Sequence, residues 1–312
     1  MNEVIHLKSV VPGDVIALLR NRAEATLRGI YEDYFEDKSF DEFIRDHLGH
    51  TSVVMKIANY RFTTGDMFLQ LKDCLQPHAE RVFGVSELLI HPISYLRFSF
   101  PGIYYSDEHK VAFLDSQPHY DRSYGIEAFT FWLALDDIDD ESGGLCSFSG
   151  PETLEYFPLE GQNRFSYKGY WDAAKDIDPM IRRETITYPV RPGDVLTFDS
   201  TVLHGGTKPR TRRRVSFDFR LVPVANLKEA PASVLRIFDE VNTRLDLCNA
   251  NNLILIGDFI GASRILDQRE SGTSNRELMA VASALRCRPP DPSVVQEHAE
   301  MAWRNEYGWL TH

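Results

Sequence analysis

Cysteine is scarce in this 312-residue chain, with Cys74, Cys146, Cys248 and Cys287 as the full set and no two spaced as CxxC. That spacing excludes a zinc knuckle or a dithiol redox centre and predicts reduced, buried thiols. Positive charge is short as well. Lys and Arg number 34 against 46 Asp and Glu, a net charge of −12, which disfavours a nucleic-acid backbone or an anionic membrane surface as partner. No apolar run approaches the ~20 residues that cross a bilayer. The N-terminal MNEVIHLKSVVPGD has neither the basic nor the apolar region of a secretory signal, and Trp309-Leu310-Thr311-His312 matches no targeting address. A cytoplasmic location is the expectation. Fixed-period repeats and low-complexity tracts are missing too, which argues against solenoids and disordered linkers. What remains is an ordinary globular composition, 43% hydrophobic and 26% charged, sufficient to bury a core without disulfides.

The hydrophobic pattern divides one expected domain, 1–312, into three parts. Residues 1–87 read as mostly helical. Val15, Leu18, Leu19 and Ala23 recur at helical spacing after Pro12-Gly13-Asp14, and a second helix is expected from Thr64-Gly65-Asp66 to about Phe83. From 88 to 223 the texture is β. Phe129-Thr130-Phe131-Trp132-Leu133-Ala134-Leu135 fits a central strand covered on both faces, and Arg191-Pro192-Gly193-Asp194 is a turn feeding Val195–Phe198. Arg212 to Leu221 alternates, with Arg212, Arg214, Ser216, Asp218 and Arg220 on one side and Arg213, Val215, Phe217, Phe219 and Leu221 on the other. Short strands between turns predict a sandwich or barrel. Helix signals return over 224–312, giving a mainly β fold with flanking helices and no visible linker.

Three His-x-acid pairs are present, and only an extended backbone points both members of such a pair to one side. His78-x-Glu80 and His298-x-Glu300 fall in predicted helices and should splay. His119-x-Asp121, within Gln117-Pro118-His119-Tyr120-Asp121, lies just before the central strand. Further along, Val202-Leu203-His204-Gly205-Gly206 places a second histidine after an apolar strand. Two imidazoles and one carboxylate make the facial triad of non-haem Fe(II) sites, which leaves coordination positions open. Catalytic zinc uses similar ligands, so the triad alone leaves the chemistry open. Arg214-Val215-Ser216 begins ten residues after His204. On an extended strand its guanidinium and hydroxyl face together, suited to grip a carboxylate. A metal with open positions beside such a clamp is a site for a keto acid chelated at one end and anchored at the other.

These residues, with FWLALDDID, GGLCSFSGPE and RPGDVLTFDSTVLHGG around them, resemble the Fe(II)/2-oxoglutarate-dependent dioxygenases, and especially the phytanoyl-CoA dioxygenase-like group, over roughly 88–223. The resemblance implies a double-stranded β-helix (jelly-roll) core, with His119, Asp121 and His204 as iron ligands. It implies Arg214 with Ser216 on the distal carboxylate of 2-oxoglutarate, Trp132 lining the co-substrate site, and dioxygen as second co-substrate. Where many relatives read PGSH, this chain reads Phe148-Ser149-Gly150-Pro151-Glu152, so a fatty acyl-CoA substrate is not carried over.

The expected activity is hydroxylation of an unactivated C–H bond in a small polar metabolite, such as a natural-product intermediate, with further oxidation, desaturation or cyclisation open to the same site. The expected partner is that small molecule. Nucleic acid and membrane are not expected, and homo-oligomerisation is left open. A metal-dependent hydrolase or cupin-like enzyme would use the same ligands without needing Arg214, and a non-catalytic jelly-roll binding module would need neither. Arg220 is the reserve for Arg214. Tyr95, Arg97, Ser99 and Gln117 are candidate pocket residues from neighbouring strands. The run Asp136, Asp137, Asp139, Asp140, Glu141 reads as a solvated turn. The aromatic segment 156–188 reads equally as a lid or a subunit contact.

Overall fold

The structure is a computed structural model. It describes residues 3–34, 39–47, 58–59, 62, 65–91, 94–102, 114–119, 121, 127–148, 185–228, 235 and 238; for 33–34, 46–47, 65–66 and 114–119 this covers the backbone alone. The segment 156–184, most of the expected lid, and most of the expected C-terminal helices lie outside the described residues, as do Cys248 and Cys287.

Two helices of the N-terminal part are built on apolar stripes. Helix α1 (Gly13–Tyr34) carries Asp14 in its first turn, where a carboxylate complements the helix dipole. Its Val15, Leu19, Ala23, Leu27 and Ile30 are buried in one core, at the three- and four-residue spacing that makes one helical face. The short α2 (Phe40–His47) begins with a reciprocal cap in which the Ser39 amide donates to the Glu42 carboxylate and the Glu42 amide to Ser39 Oγ. Helix α3 (Gly65–Phe83) adds Met67, Phe68, Leu71, Leu75 and Ala79 to the same core. The sequence expectation missed an N-terminal strand, β1 (Ile5–Leu7).

The remaining strands are β2 (Leu88–Ile90), β3 (Tyr95–Ser99), β4 (Leu114–His119), β5 (Phe129–Ala134), β6 (Leu145–Phe148), β7 (Thr185–Thr187), β8 (Val195–Asp199), β9 (His204–Thr207) and β10 (Arg214–Pro223). They form two antiparallel sheets. The first has the order β1-β8-β5-β10-β2, with β3 also paired to β10; the second has the order β4-β9-β6-β7. From β3 to β10 the chain passes back and forth between the sheets, β6 and β7 being the one consecutive pair that stays in the second. That alternation is the jelly-roll, or double-stranded β-helix, arrangement, and the fold is mainly β.

Side-chain alternation decides what each face of the first sheet meets. Val215, Phe217, Phe219 and Leu221 of β10, Phe131 and Leu133 of β5, and Leu96 and Phe98 of β3 join the helical residues in one cluster. Phe62 meets Phe217 edge-on at 5.0 Å and Phe68 of α3 meets Phe219 at 5.9 Å. The opposite face of the sheet looks inward. There Trp132, Ala134, Leu196 and Phe198 pack with Leu145 of the second sheet, Ile138, Val190 and Val202. The first sheet is therefore covered on both sides, as the continuous apolar run at 129–135 requires.

Turn chemistry sets the strand ends. Gly193 precedes β8 with φ of 92°, a conformation open to glycine and strained for other residues. Gly143 precedes β6 with φ of 63°, and a Cβ there would stand 2.3 Å from the Thr207 carbonyl oxygen. Only a residue without a side chain lets that carbonyl approach. Asp136 departs from the expected solvated turn. It is buried, accepts the Val215 amide at 3.1 Å and pairs with Arg20 at 3.1 Å, because β10 passes directly beneath it.

Candidate metal centre

The two histidines singled out from sequence face one another in register. His119 is the last residue of β4, His204 the first of β9, and the antiparallel pairing sets their backbones directly opposite. The pairing shifts register twice along β4, between Leu114 and Ser116 and between Ser116 and His119. The side chains of Gln117 and His119 lie outside the described residues.

His204 is buried, its ring 4.6 Å from that of Phe198. Its Nδ1 lies 3.1 Å from the Val202 carbonyl oxygen. A carbonyl only accepts, so Nδ1 carries the proton and Nε2 is left with its lone pair. Burial holds the His204 pKa below the ordinary imidazole value, outweighing the opposing pull of Asp121. A neutral imidazole with a backbone-anchored Nδ1–H is the form that ligates metal. Nε2 points to Asp121 Oδ2 at 3.8 Å.

Asp121 sits two residues past His119, beyond the strand end, and is buried. Oδ2 accepts from Thr130 Oγ1 at 2.7 Å, from Arg220 Nη2 at 2.7 Å and from Arg220 Nε at 3.2 Å. Arg220 is the reserve candidate for the keto-acid clamp, and the structure places it elsewhere, against a carboxylate of the chain itself. Two flanking carboxylates, Asp121 first and then Asp218, raise the Arg220 pKa against the opposing effect of burial.

Arg214 lies on the same inner face of β10, buried, and opposite Ser99 of β3. Its Nη2 donates to Ser99 Oγ at 2.8 Å and its Nη1 to the Thr207 carbonyl at 3.2 Å. Thr207 ends the strand that His204 begins, so the guanidinium is held ~10 Å of strand from the histidine. Ser216 is fully buried, and its Oγ has no hydrogen-bond partner among the described residues. Ser94, Thr197 and Ser200 carry buried hydroxyls in the same state, so burial without a partner does not by itself single out Ser216. Trp132 packs in the apolar inner cluster, opposite Asp218 and Leu196. Cys146 adjoins the Arg214 charge, yet burial dominates and its pKa is pushed up to about 12. It is an inert thiol.

The remaining candidates sort by contact. Ser99 holds Arg214, Arg97 pairs with Asp218 at 2.9 Å, and Tyr95 lies under both Arg97 and Arg220, 5.2 and 5.5 Å from its ring centre. His78 and Glu80 occupy helix α3 and turn to different partners, Arg81 and Gln76, as their helical setting predicts. His298 and Glu300 lie outside the described residues. Among the described side chains no group of three His, Cys, Asp or Glu comes together, that of His119 not being one of them. Thr130, Asp218 and the Arg220–Asp121 pair were not singled out from sequence, although the alternation on β10 already put two arginines and an aspartate on one face.

The phytanoyl-CoA dioxygenase (PhyH) family model matches residues 107–215. No curated protein matches the sequence. Among solved structures, the epimerase SnoN in complex with Fe3+, alpha ketoglutarate and nogalamycin RO is similar at 19% identity and a TM-score of 0.45, over 74% of this chain and 86% of that one. EctD from S. alaskensis with bound Fe is similar at 16% identity and a TM-score of 0.46, over 72% and 74%. AviO1 from Streptomyces viridochromogenes Tue57 is similar at 16% identity and a TM-score of 0.43, over 72% and 91%.

Proposed function

We propose that the chain, whose residues 107–215 match the phytanoyl-CoA dioxygenase (PhyH) family model, is a 2-oxoglutarate-dependent dioxygenase in which His119, Asp121 and His204 hold ferrous iron, and that the reaction is hydroxylation of a small polar metabolite. The observation that carries this reading is the convergence of Asp121 and His204 at 3.8 Å, with the His119 backbone directly across from His204. The donor set fits a hard-to-borderline divalent ion with open positions. The neutral His204, anchored by Nδ1 to the Val202 carbonyl, is in the form that ligates a metal.

Arg214 and Ser216 would anchor the distal carboxylate of 2-oxoglutarate. In support, Arg214 is buried on the same face and donates to Ser99 and Thr207, and Ser216 Oγ beside it has no hydrogen-bond partner among the described residues. A dianionic ligand would meet a bidentate donor and one hydroxyl there. Trp132, Leu196, Phe198 and Val202 form an apolar wall that would keep bulk water from the reacting centre. When bound, iron and the keto acid supply dioxygen activation, with one oxygen atom leaving in succinate as carbon dioxide is lost and the other entering the substrate. Asp121 matters to the outcome, since in related halogenases a small residue stands in its place. The preference for a polar substrate over a lipid rests on the polar character of the inner face, where Arg97, Asp218 and Arg220 stand in ion pairs. Chain 1–312 as one catalytic domain belongs to this proposal.

The test is anaerobic addition of Fe(II) and 2-oxoglutarate, followed by the visible charge-transfer band and by succinate release under oxygen. His119→Ala and His204→Ala abolish the band. Arg214→Ala weakens it by raising the 2-oxoglutarate concentration needed. A protein that gives no band, or turns over substrate without 2-oxoglutarate, overturns the reading in favour of a hydrolase or a binding module.

A further inference from the structure

The inner face of the first sheet carries a line of paired charge, buried at Asp218, Arg220 and Asp121 and partly exposed at Arg97, that the proposed chemistry leaves unassigned. Arg97 Nε donates to Asp218 Oδ2 at 2.9 Å, Arg220 Nη2 lies 4.0 Å from that same oxygen, and Arg220 reaches Asp121 Oδ2 at 2.7 Å. The register of β10 on β5 sets Arg220 directly opposite Thr130, and both side chains converge on Asp121. Three donated hydrogen bonds therefore meet one carboxylate oxygen, from Arg220 Nη2, Arg220 Nε and Thr130 Oγ1.

We infer that Arg220, with Thr130, is a positioning residue for the metal's carboxylate ligand. This rests on the reading of Asp121 as that ligand. Asp121 lies past the end of β4, so the strand ladder does not fix its side chain. A carboxylate has two torsions to settle, and a forked guanidinium with a hydroxyl on one oxygen settles both. Asp218 is the counter-charge that keeps Arg220 aimed, and Arg97 balances Asp218 in turn. A competing effect runs the other way. The guanidinium draws negative charge from Asp121 and competes with a cation for it, so its removal would raise affinity if competition dominated. Orientation dominates here because the three bonds fall on a single oxygen of a side chain at a strand end, where freedom to rotate is greatest. Loss of such supporting contacts typically costs 10–100-fold in metal affinity.

The experiment titrates Fe(II) alone into metal-free protein without oxygen, then adds 2-oxoglutarate and records the charge-transfer band. Arg220→Gln is expected to weaken iron binding ~10–100-fold and to displace the band. Arg220→Lys restores part of the affinity, since it keeps the charge and loses the fork. Thr130→Val weakens binding several-fold with both charges in place, and it decides the question alone should Arg220→Gln fail to fold. Iron binding as tight as the parent's, or tighter, in Arg220→Gln or Thr130→Val overturns the inference. A parent that binds no iron and gives no band overturns the ligand assignment as well, whereas a normal parent with unaffected variants overturns the positioning role alone.

Discussion

Strand β10 presents two faces that are equally dry and chemically opposite. Val215, Phe217, Phe219 and Leu221 are 0% exposed beneath the helices, and Arg214, Ser216, Asp218 and Arg220 are at most 3% exposed on the inner side. Burial does not distinguish them. The outer row is stabilised by the transfer of apolar surface from water. The inner row holds two guanidiniums and a carboxylate at a desolvation cost that pairing only partly offsets. Charge kept at such a cost is better explained by a task than by stability, and the inner face is where the proposed ligands converge.

The largest effect that can break this contrast belongs to the outer face. Phe217→Ala is expected to destabilise the protein by about 3–5 kcal/mol through lost transfer energy and the cavity left against Phe62, while leaving the iron and 2-oxoglutarate sites intact in whatever fraction folds. Chemical denaturation at unchanged m-value measures it. A loss under 1 kcal/mol would mean that the helical layer is not the sheet's main support. The inner face should respond differently. Arg97→Met leaves Asp218 without its 2.9 Å partner and should cost about 3 kcal/mol, the low end for a broken buried pair because Arg97 retains some exposure. Replacing both, Arg97→Met with Asp218→Leu, should recover most of that loss. A double variant as unstable as the single one would show the pair to be structural, and the contrast between the faces would fail.

Much of this was legible in the sequence because both faces of β10 are written in one alternating run. The side on which Arg214, Ser216, Asp218 and Arg220 stand follows from period-two geometry alone, and the helical pattern of 64–83 puts His78-x-Glu80 on a helix, whereas the sequence places His119-x-Asp121 only before the central strand and not across a strand end. Partnership was not legible. Which of the β10 side chains meets a carboxylate of the chain depends on which loop reaches the strand, and Asp121 arrives at Arg220 from ninety-nine residues away. Asp136 was misread for the same reason. Its neighbours in sequence are exposed acids, but the Val215 amide that fixes it comes from another strand. Strand β1 escaped notice because three residues are too short for a periodic signal and owe their conformation to the β8 edge they pair with.

That edge supplies a smaller, pH-dependent test. Asp194 takes the Ser9 amide at 2.8 Å and His6 Nε2 at 3.0 Å, tying the segment around β1 to the turn before β8. Burial pushes the Asp194 pKa up, but the bonds from Ser9, His6 and Arg191 outweigh it and hold the carboxyl below its ordinary value. A folded-state pKa below the unfolded one, ~3.9, means the contribution is complete above that value and is lost as pH falls through the lowered one. The protection factor of the Leu7 amide, which allows for the slower intrinsic exchange in acid, should therefore fall before those of the inner strands. Asp194→Asn should remove that pH dependence and cost about 1.5 kcal/mol at neutral pH. Exchange at Leu7 that tracks global unfolding at every pH would refute a local tie.

Ser216→Ala gives the smallest change in stability and the sharpest division between the faces. A buried hydroxyl without a partner among the described residues contributes no bond to folding, and its removal spares the desolvation of an unsatisfied group. Stability should hold within about 0.5 kcal/mol or rise slightly. Binding should respond in the opposite sense. A hydroxyl donating to a charged carboxylate is worth ~1.5 kcal/mol or more, so the 2-oxoglutarate concentration that half-develops the charge-transfer band should rise about tenfold. The two measurements on one variant separate the explanations for an inner-face side chain. Lost stability with unchanged co-substrate binding would make Ser216 part of the packing like its outer neighbours Val215 and Phe217, whereas unchanged stability with weakened binding is what a residue retained for a ligand must show.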